Sequence, residues 1–138
     1  MRKQGRGNII QISSIGGRIG SVGLAAYQSA KWAVGGFSEV LAQEVAPFGI
    51  KVTVIEPGGM RTDWAGSSMT IPPISEPYEQ TVGVFVQMLR DGAGHEPGDP
   101  AQIAKVIIQL TDIEEPTRSG SATVHPLPRG FPVQLWHT

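Results

Sequence analysis

The chain has 138 residues, enough for one domain with a core of its own, and its 40% apolar fraction places it among globular chains. Eleven basic and twelve acidic side chains leave a net charge of −1, which argues against a nucleic-acid partner. There is no cysteine, so a disulfide framework and a thiolate metal site are both excluded, and the composition suits a reducing, cytoplasmic setting.

The opening, "MRKQGRGNII", is basic, but the apolar run that follows is short and broken by Gln11. It is not read as a signal peptide. Arg2, Lys3 and Arg6 read as a solvated turn, since three charges release few counterions from a nucleic acid. No apolar run reaches the ~18 residues of a membrane span.

"NIIQIS", residues 8–13, is a β-branched run behind two glycines and reads as a buried strand. Residues 14–23 are rich in Gly and Ser and read as a loop. A helix is predicted from Leu24 to Ala46, with Trp32, Ala33, Phe37, Val40, Leu41 and Val45 as its apolar stripe. Pro47 and Gly49 end it. "IKVTVIEP", residues 50–57, alternates and is β-branched, so it is a second strand.

Strand, helix and strand make a βαβ unit with parallel strands and a right-handed crossover. Only a third candidate strand follows, near "SATVHPL", so the sheet is smaller than parallel sheets usually are. Beyond Gly58 comes a Pro- and Ser-rich loop, then a helix predicted from Tyr78 to Arg90 and the connector "DGAGHEPGDP". Asp99 reads as an N-cap with Pro100 at the first helical position. That helix buries Ile103, Val106, Ile107 and Leu110. The tail, with Pro126, Pro128 and Pro132, is predicted to be mostly irregular.

The chemistry concentrates in "SSIGGRIGSVGLAAYQSAK", residues 13–31. Tyr27 and Lys31 are four apart on one helix face, so phenol and ammonium can share a space. A phenol near pKa 10 is of little use at neutral pH, and a nearby cation favours the phenolate. Such a tyrosine can act as general acid or base, and Ser14, just after the first strand, can donate to a substrate oxygen beside it. Spacing alone leaves other readings open: a solvated pair or a snorkelling lysine stem for Tyr27 and Lys31, a cap or turn for Ser14. There is no G-x-S-x-G elbow, which weakens a hydrolase reading. His95, His125 and His137 read as surface residues without metal-ligand spacing, Glu39 and Glu44 as a solvated helix face, and Glu114–Glu115 as a loop charge pair.

The segments "NIIQISSIGG" and "YQSAKWAVGGFSEVLAQEVAPFGIKVTVIEPGGMRTD" together resemble the short-chain dehydrogenase/reductase family. The family pattern is a strand ending in Ser, Tyr-x-x-x-Lys on a helix, a strand ending in Pro-Gly, and a Thr. Ser14, Tyr27, Lys31, Pro57, Gly58 and Thr62 fall on it. The match is strong over residues 5–63, looser to residue 110, and slight in the last twenty.

The resemblance implies an α/β fold: part of a Rossmann-like, doubly wound parallel sheet with flanking helices. It implies an oxidoreductase using NAD or NADP on a small-molecule carbonyl or alcohol. Tyr27 would be the general acid or base. Lys31 would tune the phenol and bind the cofactor ribose, and Ser14 would polarise the carbonyl. Tyr27, Lys31, Pro57, Gly58, Met60 and Thr62 would be the cofactor-binding residues, with no metal. The chain divides on this reading into a catalytic βαβ core (5–63), a variable substrate flap (64–98), and a C-terminal helix and tail (99–138), within one domain spanning 1–138. Trp64, Met69, Ile71 and Phe85 would line the flap with apolar surface, or merely pack the helix onto the sheet.

The family's diphosphate-binding Gly-rich turn, its Asn-Asn-Ala-Gly segment and its catalytic Asn have no counterpart in these residues. "GGRIGSVG" lies on the substrate side of the first strand and is not read as a phosphate cradle. The chain therefore reads as lacking the N-terminal cofactor-binding half, with its first strand an apolar edge prone to association. A homo-oligomer is expected. The alternative function is that of an inactive remnant serving as an oligomerising or interaction fragment. The helix bearing Tyr27 often packs at a subunit interface in the family, so Trp32, Val40 or Ala42 would serve there.

Overall fold

A computed structural model of the chain describes residues 1–112 together with the strands Thr123–Val124 and Val133–His137. The chain enters through a short turn at Arg2–Gln4 and forms β1 (Gly7–Ile12). A loop containing the 3-10 turn Ile15–Gly17 leads into α1 (Ala25–Val45). A second 3-10 turn, Ala46–Phe48, follows, and then β2 (Ile50–Pro57). Gly49 stands between them at φ +66°, a left-handed conformation that a side chain would strain, and this lets the chain turn out of the helix and into the strand.

β1 and β2 are parallel neighbours, in register from Gly7↔Ile50 to Ile12↔Ile55, with α1 as the crossover. This is the predicted βαβ unit, and the architecture is α/β with a small sheet and flanking helices.

The sheet is not wholly parallel. β4 (Val133–His137) pairs antiparallel with β2, and β3 (Thr123–Val124) pairs antiparallel with β4, in the order β1-β2-β4-β3. The parallel β1–β2 pair is thus extended by two antiparallel strands from the tail, which the sequence reading did not anticipate for Val133–His137. Without a strand beside it, the edge of β2 away from β1 would leave backbone donors and acceptors to water. An antiparallel strand satisfies them without a second crossover helix, and "VQLWH" has the β-branched and aromatic content to supply one. The strand expected near residues 121–127 is present as two residues beside β4. Glu114, Glu115, His125 and the tail prolines lie outside the described residues.

Helices cover both faces of β2. Ile55, fully buried, anchors a cluster with Ile103 and Val106 of α3 (Pro100–Asp112), and Ile10, Met60, Ile107 and Leu110 pack around it. The predicted apolar face of α3 is thus the one that meets the sheet. Its N-cap is also as read: the Asp99 carboxylate accepts from the Ala101 N–H at 2.9 Å. α1 lies on the opposite face, with buried Ala42 and Ser38, against the side of β2 that carries Val52, Val54 and Glu56.

The predicted stripe on α1 is corrected. Leu41 and Val45 are half-buried, but Trp32, Phe37 and Val40 are each more than half exposed, and the buried positions include Gln28, Ser38 and Ala42. Small and hydrogen-bonding side chains let α1 approach the sheet closely, and the large apolar ones face outward. The helix predicted over residues 78–90 is compound: a 3-10 turn, Glu76–Tyr78, one π-helical turn, Glu79–Gly83, and then α2 (Val84–Asp91).

Candidate active site

The end of β1 delivers two serines to different tasks. Ser13 is buried; its N–H donates to the Ile55 carbonyl at 2.8 Å and its hydroxyl to the Lys31 carbonyl at 2.9 Å. It ties β1, β2 and α1 together at one point. Ser14 Oγ accepts from the Gly16 N–H at 3.0 Å and so caps the 3-10 turn. As an acceptor there, it keeps its own hydroxyl hydrogen free to donate.

The loop that follows is held hard against α1. A Cβ on Gly17 would stand 2.9 Å from Ser13 Oγ and 3.0 Å from the Lys31 carbonyl oxygen, so only glycine permits the approach. The buried Gln28 accepts from the Ser21 N–H at 2.8 Å. Arg18 donates from Nε to Glu56 Oε1 at 2.8 Å, pairing a partly exposed guanidinium with a carboxylate that is 1% exposed. The loop is therefore fastened to the carboxyl end of β2 as well as to the helix.

Lys31 reaches from α1 to the carboxyl end of β1, where Nζ donates to the Ile12 carbonyl at 3.0 Å. The same Nζ is 5.9 Å from the centre of the Tyr27 ring. On the other side Trp64 leans on Tyr27, with ring centres 5.9 Å apart and planes tilted by 46°.

The segment after β2 is pinned by the connector before α3. Met60 bridges to Gly98, Arg61 N–H donates to the Gly98 carbonyl at 2.9 Å, and Gly98 N–H donates to the Gly59 carbonyl at 3.0 Å. The Arg61 guanidinium donates to the carbonyls of Glu96 at 3.0 Å and Pro97 at 3.3 Å and lies 3.8 Å from the Asp99 carboxylate. Thr62 Oγ1 accepts from the Trp64 N–H at 3.4 Å. Asp63 accepts from the Ser67 hydroxyl at 2.8 Å and from the N–H groups of Ser67 at 3.0 Å and Ser68 at 2.8 Å. Those bonds, the Ser67 hydroxyl foremost, hold its carboxyl below the usual carboxylate range. Arg90 of α2 donates to the carbonyls of Ala65 at 2.8 Å and Met69 at 2.7 Å, and to that of Gly66, which fastens the 65–69 turn to the helix.

These elements enclose a cleft of about 470 Å³ at the carboxyl end of β1 and β2, where open α/β sheets bind ligands. Ser14, Tyr27 and Lys31 line it, as do Pro57, Gly58, Met60 and Thr62. Every site residue nominated from the sequence thus borders one space. Sequence reasoning missed Gln28 and Glu96, which also line it, and the fastenings by Arg18–Glu56 and Arg90. Gln28 sits one residue past Tyr27 and was legible only as a polar residue on a helix. Glu96 lies in a connector without periodicity. Among the described residues, no three His, Asp or Glu side chains converge to hold a metal ion, and no helix is long and apolar enough to cross a membrane.

The family model for short chain dehydrogenase matches residues 1–70. Oxidoreductase BOA17 of Botryotinia fuckeliana (strain B05.10) is 61% identical over 116 residues, which are 84% of this chain and 42% of that protein. The uncharacterized oxidoreductase YusZ of Bacillus subtilis (strain 168) is 40% identical over 114 residues, 80% of this chain and 40% of that one. The crystal structure of a short-chain dehydrogenase from Streptomyces avermitilis superposes with a TM-score of 0.69 at 40% identity, over 83% of this chain and 42% of that one. The chain belongs to the short-chain dehydrogenase/reductase family. It spans about two fifths of the length of these relatives.

Proposed function

We propose that this chain carries the proton-transfer and nicotinamide-facing part of an NAD(P)-dependent oxidoreductase that interconverts a small-molecule carbonyl and its alcohol. The observation that carries the reading is the shared cleft: a phenol, an ammonium and a free hydroxyl donor converge at the end of a parallel βαβ unit.

The residues present fit the nicotinamide end of such a cofactor. Lys31 donates one of its N–H groups to Ile12 and keeps two for a ribose hydroxyl. Gly58 and Gly59 bare the backbone along one wall, and a Cβ on Gly59 would meet only the Glu96 side chain, at 3.3 Å. Pro57, Gly58, Met60 and Thr62 would flank the ring, and Tyr27 and Lys31 the ribose. When bound, the nicotinamide supplies or accepts the hydride.

The chain's own residues manage the oxygen. In reduction Ser14 donates a hydrogen bond to the carbonyl oxygen and Tyr27 gives it a proton; in oxidation Tyr27 takes the proton back. The Lys31 ammonium steadies the negative charge that gathers on the phenol oxygen during the transfer. Trp64 limits how the Tyr27 ring can tilt.

Two measurements test the reading. Titration of NADH and NADPH into the purified chain, followed by nucleotide fluorescence, should give saturable binding that Lys31→Ala weakens. In an NAD(P)H-oxidation assay, carbonyl reduction that survives Tyr27→Phe at the parental rate would remove Tyr27 from the mechanism.

A second reading has its own observation. Trp32, Phe37 and Val40 are exposed large apolar side chains on α1, and β1 has β2 as its one sheet neighbour among the described residues. A chain whose role is self-association or partner binding would show the same surface and no nucleotide binding.

A further inference from the structure

Beside the cleft lies a second chamber of about 480 Å³, and the two meet along Leu24, Tyr27, Trp64 and Leu89, which line both. The two spaces differ in kind. The first contains Lys31 and Glu96. The second is walled by Val22, Met69, Ile71, Val82, Phe85 and Val86, and no charged side chain lines it among the described residues.

The charges nearby are engaged elsewhere. Arg90 is turned to the carbonyls of Ala65, Gly66 and Met69, Asp63 holds Ser67 and Ser68, and Arg61 holds the 96–98 connector. The same Arg90 bonds make the wall a fastened structure. Its polar side chains are Thr70, Ser75, Tyr78, Tyr27 and the indole of Trp64, all uncharged.

We infer that the substrate is an uncharged, predominantly apolar ketone or secondary alcohol of ring or branched-chain size. Its hydrocarbon body lies in the second chamber and its oxygen reaches past Trp64 to Tyr27. This rests on the oxidoreductase reading above and adds to it the class of substrate. A chamber of this volume and lining takes up most of the surface of a compact organic molecule. A carboxylate or phosphate carried into it would shed its hydration with no cation to receive it. Sugar phosphates and keto acids are thereby disfavoured, and the discrimination is set by the flap and α2.

The test uses two ketones of nearly equal shape, 4-methylcyclohexanone and 4-oxocyclohexanecarboxylate, in equilibrium dialysis against the folded 138-residue chain. The methyl compound is expected to bind about tenfold or more tightly than the carboxylate. Thr70→Lys, at an exposed position on the chamber wall, should reverse part of that preference by raising carboxylate affinity. Phe85→Asp should lower affinity for the methyl compound. Equal binding, tighter binding of the carboxylate, or no binding of either by the folded chain overturns the inference. NAD(P)H consumption is read separately. Selective ketone binding with no saturable NADH or NADPH binding counts against the oxidoreductase reading while supporting the chamber's preference. Equal turnover of both ketones, abolished by Tyr27→Phe, sinks the inference and leaves the catalytic reading standing.

Discussion

The Lys31 ammonium donates to the Ile12 carbonyl at 3.0 Å, so a side chain from the crossover helix closes off the carboxyl end of the first strand. The bond sets the height of the ammonium over the sheet, and with it the 5.9 Å separation from the Tyr27 ring. Removing it should do two things at once. Lys31→Ala is expected to lower nucleotide affinity and turnover together, because in the proposed mechanism the same group would serve the ribose and the phenol. Lys31→Met keeps the stem's packing and should fail equally, which a comparison of Kd and kcat for the two variants would check.

Tyr27→Phe retains the ring that Trp64 leans on and removes the hydroxyl proposed as the proton donor. Turnover should fall by about 10²–10⁴, the usual worth of a positioned general acid, while Tm and nucleotide affinity change little. A melting scan beside the kinetic assay separates loss of chemistry from loss of fold.

The Arg18–Glu56 pair predicts an asymmetry. Arg18→Ala takes a guanidinium from a carboxylate that is 1% exposed. It should destabilise by about 1.5–3 kcal/mol, the range for a buried charged group losing a hydrogen bond. Glu56→Gln leaves a neutral acceptor in place, and the partly exposed guanidinium can turn to water, so the loss should be smaller. Urea midpoints for the two variants would order them. The reverse order would mean that the pair does not hold the loop.

Asp63 gives a pH dependence with a definite sign. The folded chain holds its carboxyl below the ordinary aspartate value of 3.8, chiefly through the Ser67 hydroxyl. Its contribution to the order of the 63–68 turn is therefore complete above the unfolded pKa and is lost as pH falls through the lower folded value. Trp64 fluorescence should report a transition on the acid side of 3.8 that is absent in Asp63→Asn. The carboxylate is fully exposed, so the effect should be local and leave Tm near neutral pH unchanged.

The outer side of α1 predicts self-association. Trp32 is 56% and Phe37 59% exposed, five residues apart on α1, and Val40 falls between them in direction around the helix. Trp32→Glu combined with Phe37→Glu should shift the chain toward monomer in light scattering without lowering its Tm, since neither side chain fills the core. An unchanged mass distribution would place any association elsewhere, with the β1 edge as the next surface to test.

The residues that border the cleft were legible because each part is local. Ser14 follows a strand that its β-branched run announces, and Tyr27 and Lys31 share a face by helical spacing alone. Asp99 with Pro100 announces the start of α3, and the period of Ile103, Val106 and Ile107 announces its buried side. The same logic misjudged α1. Large apolar residues at helical spacing signalled a core face, yet the helix turns Gln28, Ser38 and Ala42 inward. Their inward turn follows from contacts with Ser21 and the sheet, which helical spacing does not encode.

By itself, then, the sequence determined the βαβ unit and which side chains stand at its carboxyl end, because periodicities of two and 3.6 act over a few residues. Tertiary structure alone decided which edge of β2 the tail takes, which side of α1 is buried, and how the site is fastened. The Arg18–Glu56 bond spans 38 positions of sequence and the Arg90–Ala65 bond 25, and no local pattern records such partners. They are selected when a buried carboxylate and a turn's unpaired carbonyls, withdrawn from water, must each find a donor in the folded chain.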